Sequence, residues 1–437
     1  MLLNEFFIII TAQFVISNTM GYELMGDTIP VPCTYTSNHV VLSCNCNFAK
    51  QIMEMSPHNG SIHYLQISNC DTLILRPSIF AQILDLKWIR LFNIRNLELG
   101  EKSFHIKNEP IEIKFDNVYV KSVPSYAFIG QIEELHFNNC TIDEFREYAV
   151  SGIATRMSKI SLKDTRVKII KPQAFKKISV ENVMIENTNF EADLPSKAFY
   201  NIEIIDTLTI QHTNFQSLYP GSVGISKVAI MRVWNNAFHV VEAEAFNVTV
   251  KTSFDMEHNN FTAIHKDALK NVVADNVITV WEKIHQPRFL FKNNSIENIA
   301  ADWSISPSSN FNAKIVEIQI QQPKTCDFVF NAAENDFIKN ISHEIFVRTV
   351  ADPKNVLALS QFEAESCQNN SYVVYGIVGA VLIVIGLIVV VIFVVLYFHR
   401  EKKKIIQARM VSPEPRTYRE TQIVMQVETH NLMKTDF

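Results

Sequence analysis

The chain has 437 residues, with 40 Lys+Arg against 45 Asp+Glu and a formal charge of −5. With 47% hydrophobic residues, 30 Phe and only 11 Gly, it is neither disordered nor collagen-like, since neither class carries so much apolar material. The mild acidity offers no basic footprint for a nucleic-acid partner.

Residues 1–21 are expected to be a signal peptide. Phe6-Phe7-Ile8-Ile9-Ile10 and Phe14-Val15-Ile16 form its apolar run, and Ser17, Asn18 and Thr19 follow before a cut. Glu5 stands where a basic residue is usual, but the run is too short to cross a bilayer, which needs about 20 residues. Residues 22–59 then hold Cys33, Cys44 and Cys46.

From about residue 60 the sequence repeats. An Ala-Phe or similar pair recurs at Ile79-Phe80, Ser103-Phe104, Ala127-Phe128, Ala149-Val150, Ala174-Phe175, Ala198-Phe199, Ala245-Phe246 and Ala268-Leu269. The steps are 24, 24, 22, 25, 24, 47 (two periods) and 23. A second set keeps the same rhythm: Leu65/Ile67, Ile89/Leu91, Ile113/Phe115, Leu135/Phe137, Ile160/Leu162, Val183/Ile185, Leu208/Ile210, Met231/Val233 and Phe254/Met256. A spacing of two places both side chains of each pair on one face of a strand. A late unit, Phe289-x-Phe291-x-x-Asn294-x-Ile296, follows a longer segment with Trp281 and Pro287, where a loop or a degenerate repeat is expected.

One unit reads Ser122-Val123-Pro124-Ser125-Tyr126-Ala127-Phe128, then Leu135-x-Phe137-x-x-Cys140-x-Ile142. Over residues 60–300 this resembles the extracellular leucine-rich repeat family. The resemblance implies an α/β solenoid: short parallel strands on a concave face, with turns and irregular or short helical segments on the convex face. The repeat is irregular, because the usual Asn position holds Cys70, Ile94, Val118, Cys140, Thr165, Thr188, Thr213, Asn236 and Asn259, and a parallel β-helix is the competing architecture. The resemblance also implies disulfide-bonded caps: one at 22–59 from Cys33, Cys44 and Cys46, with Cys70 as the fourth cysteine, and one in 301–371 from Cys326 and Cys367. Cys140 is then the free thiol. Cys44-x-Cys46 offers too few ligands for a zinc site, and no metal or cofactor is expected.

Residues 372–398 run 27 positions without a charged side chain, with Tyr372, Tyr375 and Tyr397 near the edges. Arg400, Lys402, Lys403, Lys404 and Arg409 follow, so the tail at 399–437 is expected inside and 22–371 outside, a type I single-pass topology. Seven sequons lie on the outer side: Asn59, Asn139, Asn247, Asn260, Asn293, Asn340 and Asn369. The tail ends Thr435-Asp436-Phe437, which resembles the carboxyl termini that PDZ domains accept by strand addition.

No H-E-x-x-H, G-x-S-x-G or P-loop motif occurs, and a non-enzyme is expected. The outward side chains beside the buried pairs are the ligand-binding candidates: Tyr64, Trp88, Arg90, Lys114, His136, Arg232 and Trp234, with Gln66 and Asp255 beside them. Trp, Tyr and Arg are frequent interface anchors. The expected function is a plasma-membrane receptor or co-receptor for an extracellular protein ligand. A cell-adhesion molecule that meets an opposing cell-surface protein, or an accessory subunit of a channel or receptor, is the alternative.

Overall fold

A computed structural model describes residues 29–36, 40–55, 60–275, 286–305, 307, 310–348, 350 and 354–409. Residues 1–21, expected to be a signal peptide, and Asn59, Trp281 and the Thr435-Asp436-Phe437 terminus lie outside them. The described part of the unit up to Cys367 is a parallel-strand solenoid of about 12 turns.

The two-residue spacing of the apolar pairs builds its first ladder. Leu42, Leu65, Ile89, Ile113, Leu135 and Ile160 sit side by side on consecutive strands, as do Cys44, Ile67, Leu91, Phe115, Phe137 and Leu162. The register continues through Phe254 and Phe289 to Ala313, so pairing extends beyond residues 60–300 at both ends. The Ala-Phe rhythm builds a separate ladder in which Phe104, Phe128, Val150, Phe175, Phe199, Val223 and Phe246 are in register. Between the two lies another, from Leu73 and Leu97 through Ile142 and Val167, then Phe215, Phe238 and Phe261.

The solenoid is therefore mostly strand and not α/β, which corrects the expected helical or irregular convex side. A turn of about 24 residues leaves no room for a helix of several turns after two corners and a strand. The segments that would have to be helical, such as Thr141-Ile142 and Phe128-Ile129, are β-branched or aromatic, which suits a pleated surface. Phe104–Ser122 passes through all three ladders in one run of 19 residues.

Two corners recur in the left-handed region, the second of them at Ser78, Lys102, Tyr126, Tyr148, Gln173, Lys197 and Glu244. The first falls one residue before the expected Asn position, at Asn69, Asn93, Asn117, Asn139, Asp164, Asn187, Asn235 and Asn293, with φ from 47° to 55°. Asn and Asp tolerate this conformation best among residues with a Cβ. Their side chains form a column at the surface, half-buried at Asn69 and Asn93, with Asn69 donating to Asn45 (3.3 Å), Asn93 to Asn69 (3.2 Å) and Asn117 to Asn93 (3.0 Å). Gly130 is needed for a different reason: at φ +93° a Cβ there would lie 2.0 Å from the Ile106 carbonyl oxygen.

A second polar column lies inside, in the C-terminal half. Asn236, Asn259 and Asn294 are buried; Asn236 N–H donates to Asn259 Oδ1 (3.0 Å) and Asn259 N–H to Asn294 Oδ1 (2.9 Å). Asn259 Nδ2 donates to the Val233 carbonyl (2.9 Å). Ile94 and Val118 hold that place in the N-terminal half, where the outer asparagine column ties the turns instead. Asn259→Ala strands the Asn236 amide and the Val233 carbonyl, and should cost about 2–3 kcal/mol in denaturant unfolding, whereas Asn117→Ala, exposed on the outer column, should cost under about 1.

Both ends are closed. Cys33–Thr36 pairs antiparallel with Val41–Asn45, held by Cys33–Cys44 and Cys46–Cys70 bridges, and Cys70 also occupies its repeat position beside Ile94. At the other end, the helices Cys326–Ala333 and Asp336–Asn340 and an antiparallel pair, Ile345–Arg348 with Val356–Ala358, are tied by Cys326–Cys367. Cys140 is free and buried, and burial pushes its thiol up to about 12. It should resist iodoacetamide at pH 8 in the native protein and react on denaturation, which mass spectrometry reads directly.

By itself, the second unit contains the helix Gln368–Arg409, 42 residues long, which outruns the expected 372–398. Its stretch Tyr375–Ile405 is long and apolar enough to cross a membrane.

Candidate recognition surface

Alternation on the first ladder sends every second side chain outward, so three outward positions per strand form columns along the solenoid. The middle column places Gln66, Arg90, Lys114 and His136 side by side, then Ser161, Met184 and Thr209, then Arg232 and Asp255. The seven candidates therefore share one face but form two patches, separated in the middle column by the uncharged Ser161, Met184 and Thr209.

In the N-terminal patch Tyr64 and Trp88 are cross-strand neighbours with ring centroids 5.1 Å apart. The Arg90 guanidinium donates to Asp116 (2.8 Å) and lies 5.4 Å from the Phe92 ring centre. Lys114 pairs with Glu112. His136 corrects an expectation: it is only 7% exposed, because Glu112 and Glu134 of the neighbouring column close over it. Burial works to raise the Glu134 carboxyl, but hydrogen bonds from His136 (2.7 Å) and Ser158 (2.8 Å) prevail and hold it below the usual carboxylate range.

The C-terminal patch is a groove of about 520 Å³ lined by Arg232, Trp234, Asn235, Asp255, Glu257, His258 and Arg288. Asp255, expected in the open, is buried at 6% exposure. Arg288 clamps it with Nε to Oδ1 (3.0 Å) and Nη2 to Oδ2 (2.7 Å), and Ser253 adds a third bond (3.2 Å). Three of its acceptor sites are thereby taken on the carboxylate that stands beside Arg232 in register. Among the described residues Arg232 has no ion-pair partner, while Trp234 is 39% exposed with its ring 5.7 Å from that of His212. The groove thus joins an unpaired guanidinium to an exposed indole, a pair suited to a carboxylate and an apolar side chain of a protein partner.

Arg288, Glu257 and His258 were not among the candidates. Arg288 directly precedes Phe289, so counting register across the long segment would have placed it beside Ser253. Glu112 and Glu134 are likewise outward neighbours of candidates already named.

Five sequons have described side chains. Asn139 and Asn293 sit at the corner leaving the first ladder, Asn247 and Asn260 on the other two ladders, and Asn340 in the C-terminal cap. All are exposed except Asn293, which is half-buried. None occupies an outward position of the first ladder.

No curated protein matches the chain. Residues 97–221 and 154–274 match the family model of the BspA type leucine rich repeat region, in six copies. That match, on the same turns whose strands carry the repeating pairs, supports placing the solenoid in a leucine-rich repeat family.

Proposed function

We propose that the protein is a cell-surface receptor or co-receptor that binds an extracellular protein ligand through the outward face of its first ladder. One observation carries this reading: about 12 turns of that face are free of sequons, while those on described side chains lie on corners, other ladders or a cap. A surface meant for a partner is kept clear of glycans, which are bulky and solubilising. The exposed Trp234, and Arg232, which has no ion-pair partner among the described residues, give it anchors of the residue types most often found at binding hot spots.

The membrane placement is part of the proposal. A long apolar helix and disulfide-tied caps are compatible with a single-pass protein, and Arg400, Lys402, Lys403 and Lys404 after the apolar run favour the type I orientation. A solenoid of this kind is a binding scaffold rather than an enzyme. A PDZ adaptor reading Thr435, Asp436 and Phe437 would link the tail to a scaffold.

Labelled ectodomain, ending at Cys367, should bind saturably to cells that do not express the protein, and Arg232→Asp with Trp234→Ala should reduce that binding at least tenfold. Clumping of expressing cells without soluble binding would favour adhesion. Co-purification with a multi-pass protein, and neither of the other results, would favour the accessory role.

A further inference from the structure

We propose that Glu112, Glu134 and His136 form a site for a divalent transition-metal ion, Zn²⁺ by ligand chemistry, on the first ladder.

Parallel register places Glu112 and Glu134 side by side on adjacent strands. Two like charges directly opposite are unfavourable unless a cation stands between them. The imidazole of His136, 7% exposed, points its Nε2 at both: 2.7 Å from Glu134 Oε2 and 3.7 Å from Glu112 Oε1. The donor atoms of all three residues lie within 4.8 Å of one another. A tetrahedral Zn²⁺ with bonds of about 2.1 Å separates its donors by about 3.4 Å, so small side-chain rotations suffice.

The donor set selects the metal class. One imidazole nitrogen with two carboxylate oxygens suits Zn²⁺, whereas Ca²⁺ and Mg²⁺ take oxygen only. Ser158 Oγ, 2.8 Å from Glu134 Oε1, orients one ligand from behind. Lys114 pairs with Glu112, yet its side chain is 40% exposed, so it can turn to solvent when a metal enters. Three protein ligands leave a fourth position open, as in zinc sites that keep a water. Entry of a partner's carboxylate there rests on the recognition reading; the metal site does not.

The test is calorimetric titration of the full chain in detergent with Zn²⁺ alone, without any partner, so that its outcome is independent of ligand recognition. The parent should bind one equivalent at this site, more tightly than Ca²⁺ or Mg²⁺. Glu134→Gln and His136→Ala should each weaken binding at least tenfold. Lys114→Met, which removes the competing cation, should tighten it several-fold, and His239→Ala, exposed on the second ladder away from either site, should leave it unchanged. If His136→Ala fails to fold, the opposite signs for Glu134→Gln and Lys114→Met still decide the matter. Zn²⁺ binding that ignores Glu134→Gln and Lys114→Met, or no binding by the parent at micromolar Zn²⁺, would overturn the proposal and leave an ion-pair cluster only.

Discussion

Phe128→Ala should lower unfolding stability by about 3–5 kcal/mol, read from the midpoint shift in denaturant. Phe128 is fully buried and stacks on Phe104 at 5.0 Å, with Phe115 and Phe137 edge-on at 5.9 and 6.0 Å. Each turn of a solenoid contacts mainly its two neighbours, so a hole at this point weakens both interfaces and the surrounding rings cannot collapse into it. Tyr126→Ala, two residues away on the surface at 38% exposure, serves as the control and should cost under about 1 kcal/mol. Equal midpoints for Phe128→Ala and the parent would mean that the Ala-Phe rhythm does not mark the interior.

Replacing Cys326 and Cys367 together by Ser should cost about 4 kcal/mol, the loop-closure value for a crosslink of this span. The bridge joins residues 41 apart and ties the last helices to the end of the unit. The cap matters beyond chain entropy, because it covers the apolar edge that a solenoid otherwise presents to water. The variant should therefore also become more sensitive to protease near residues 326–348, before the repeats themselves are cut. Loss of less than about 1 kcal/mol, with unchanged proteolysis, would show that the terminal elements hold without the crosslink.

One of the three ladders is legible as strand in the sequence, because its buried pairs recur at the two-residue spacing of a strand. Leu135/Phe137 and Ile160/Leu162 do pair in register. The strand on the other side is not legible, because an adjacent Ala-Phe pair has no two-residue alternation: Phe175 and Phe199 look the same in a short helical turn and in a two-residue strand. What separates them is the β-branched and aromatic content of the flanking positions, which suits a pleated surface better than a helical turn.

The asparagine column was visible but one position off. The Cys70, Ile94 and Val118 column has no amide side chains, and Asn69, Asn93 and Asn117 immediately before it carry the bonds. Burial of His136 and Asp255 was not legible, because each is covered by neighbours across strands: Glu112 and Glu134 for the first, Arg288 for the second. Arg288 and Asp255 are 33 residues apart, across a segment whose length breaks the repeat. A ladder predicts which way a side chain starts out; what closes over it depends on the adjacent turns.

The most direct test of recognition through the first ladder is a glycan wedge. Arg232→Asn with Trp234→Thr creates a sequon in the middle of the candidate groove, on two exposed outward positions that flank buried Val233. Arg166→Asn with Lys168→Thr creates one on the second ladder, at the cost of surface ion pairs worth little. Secreted ectodomains carrying each wedge, with added glycan verified by mass, would be compared for binding to the same cells. The account predicts that the groove wedge abolishes binding and the second-ladder wedge leaves it at the parent level. Full binding by the groove wedge, or loss only with the second-ladder wedge, would contradict it.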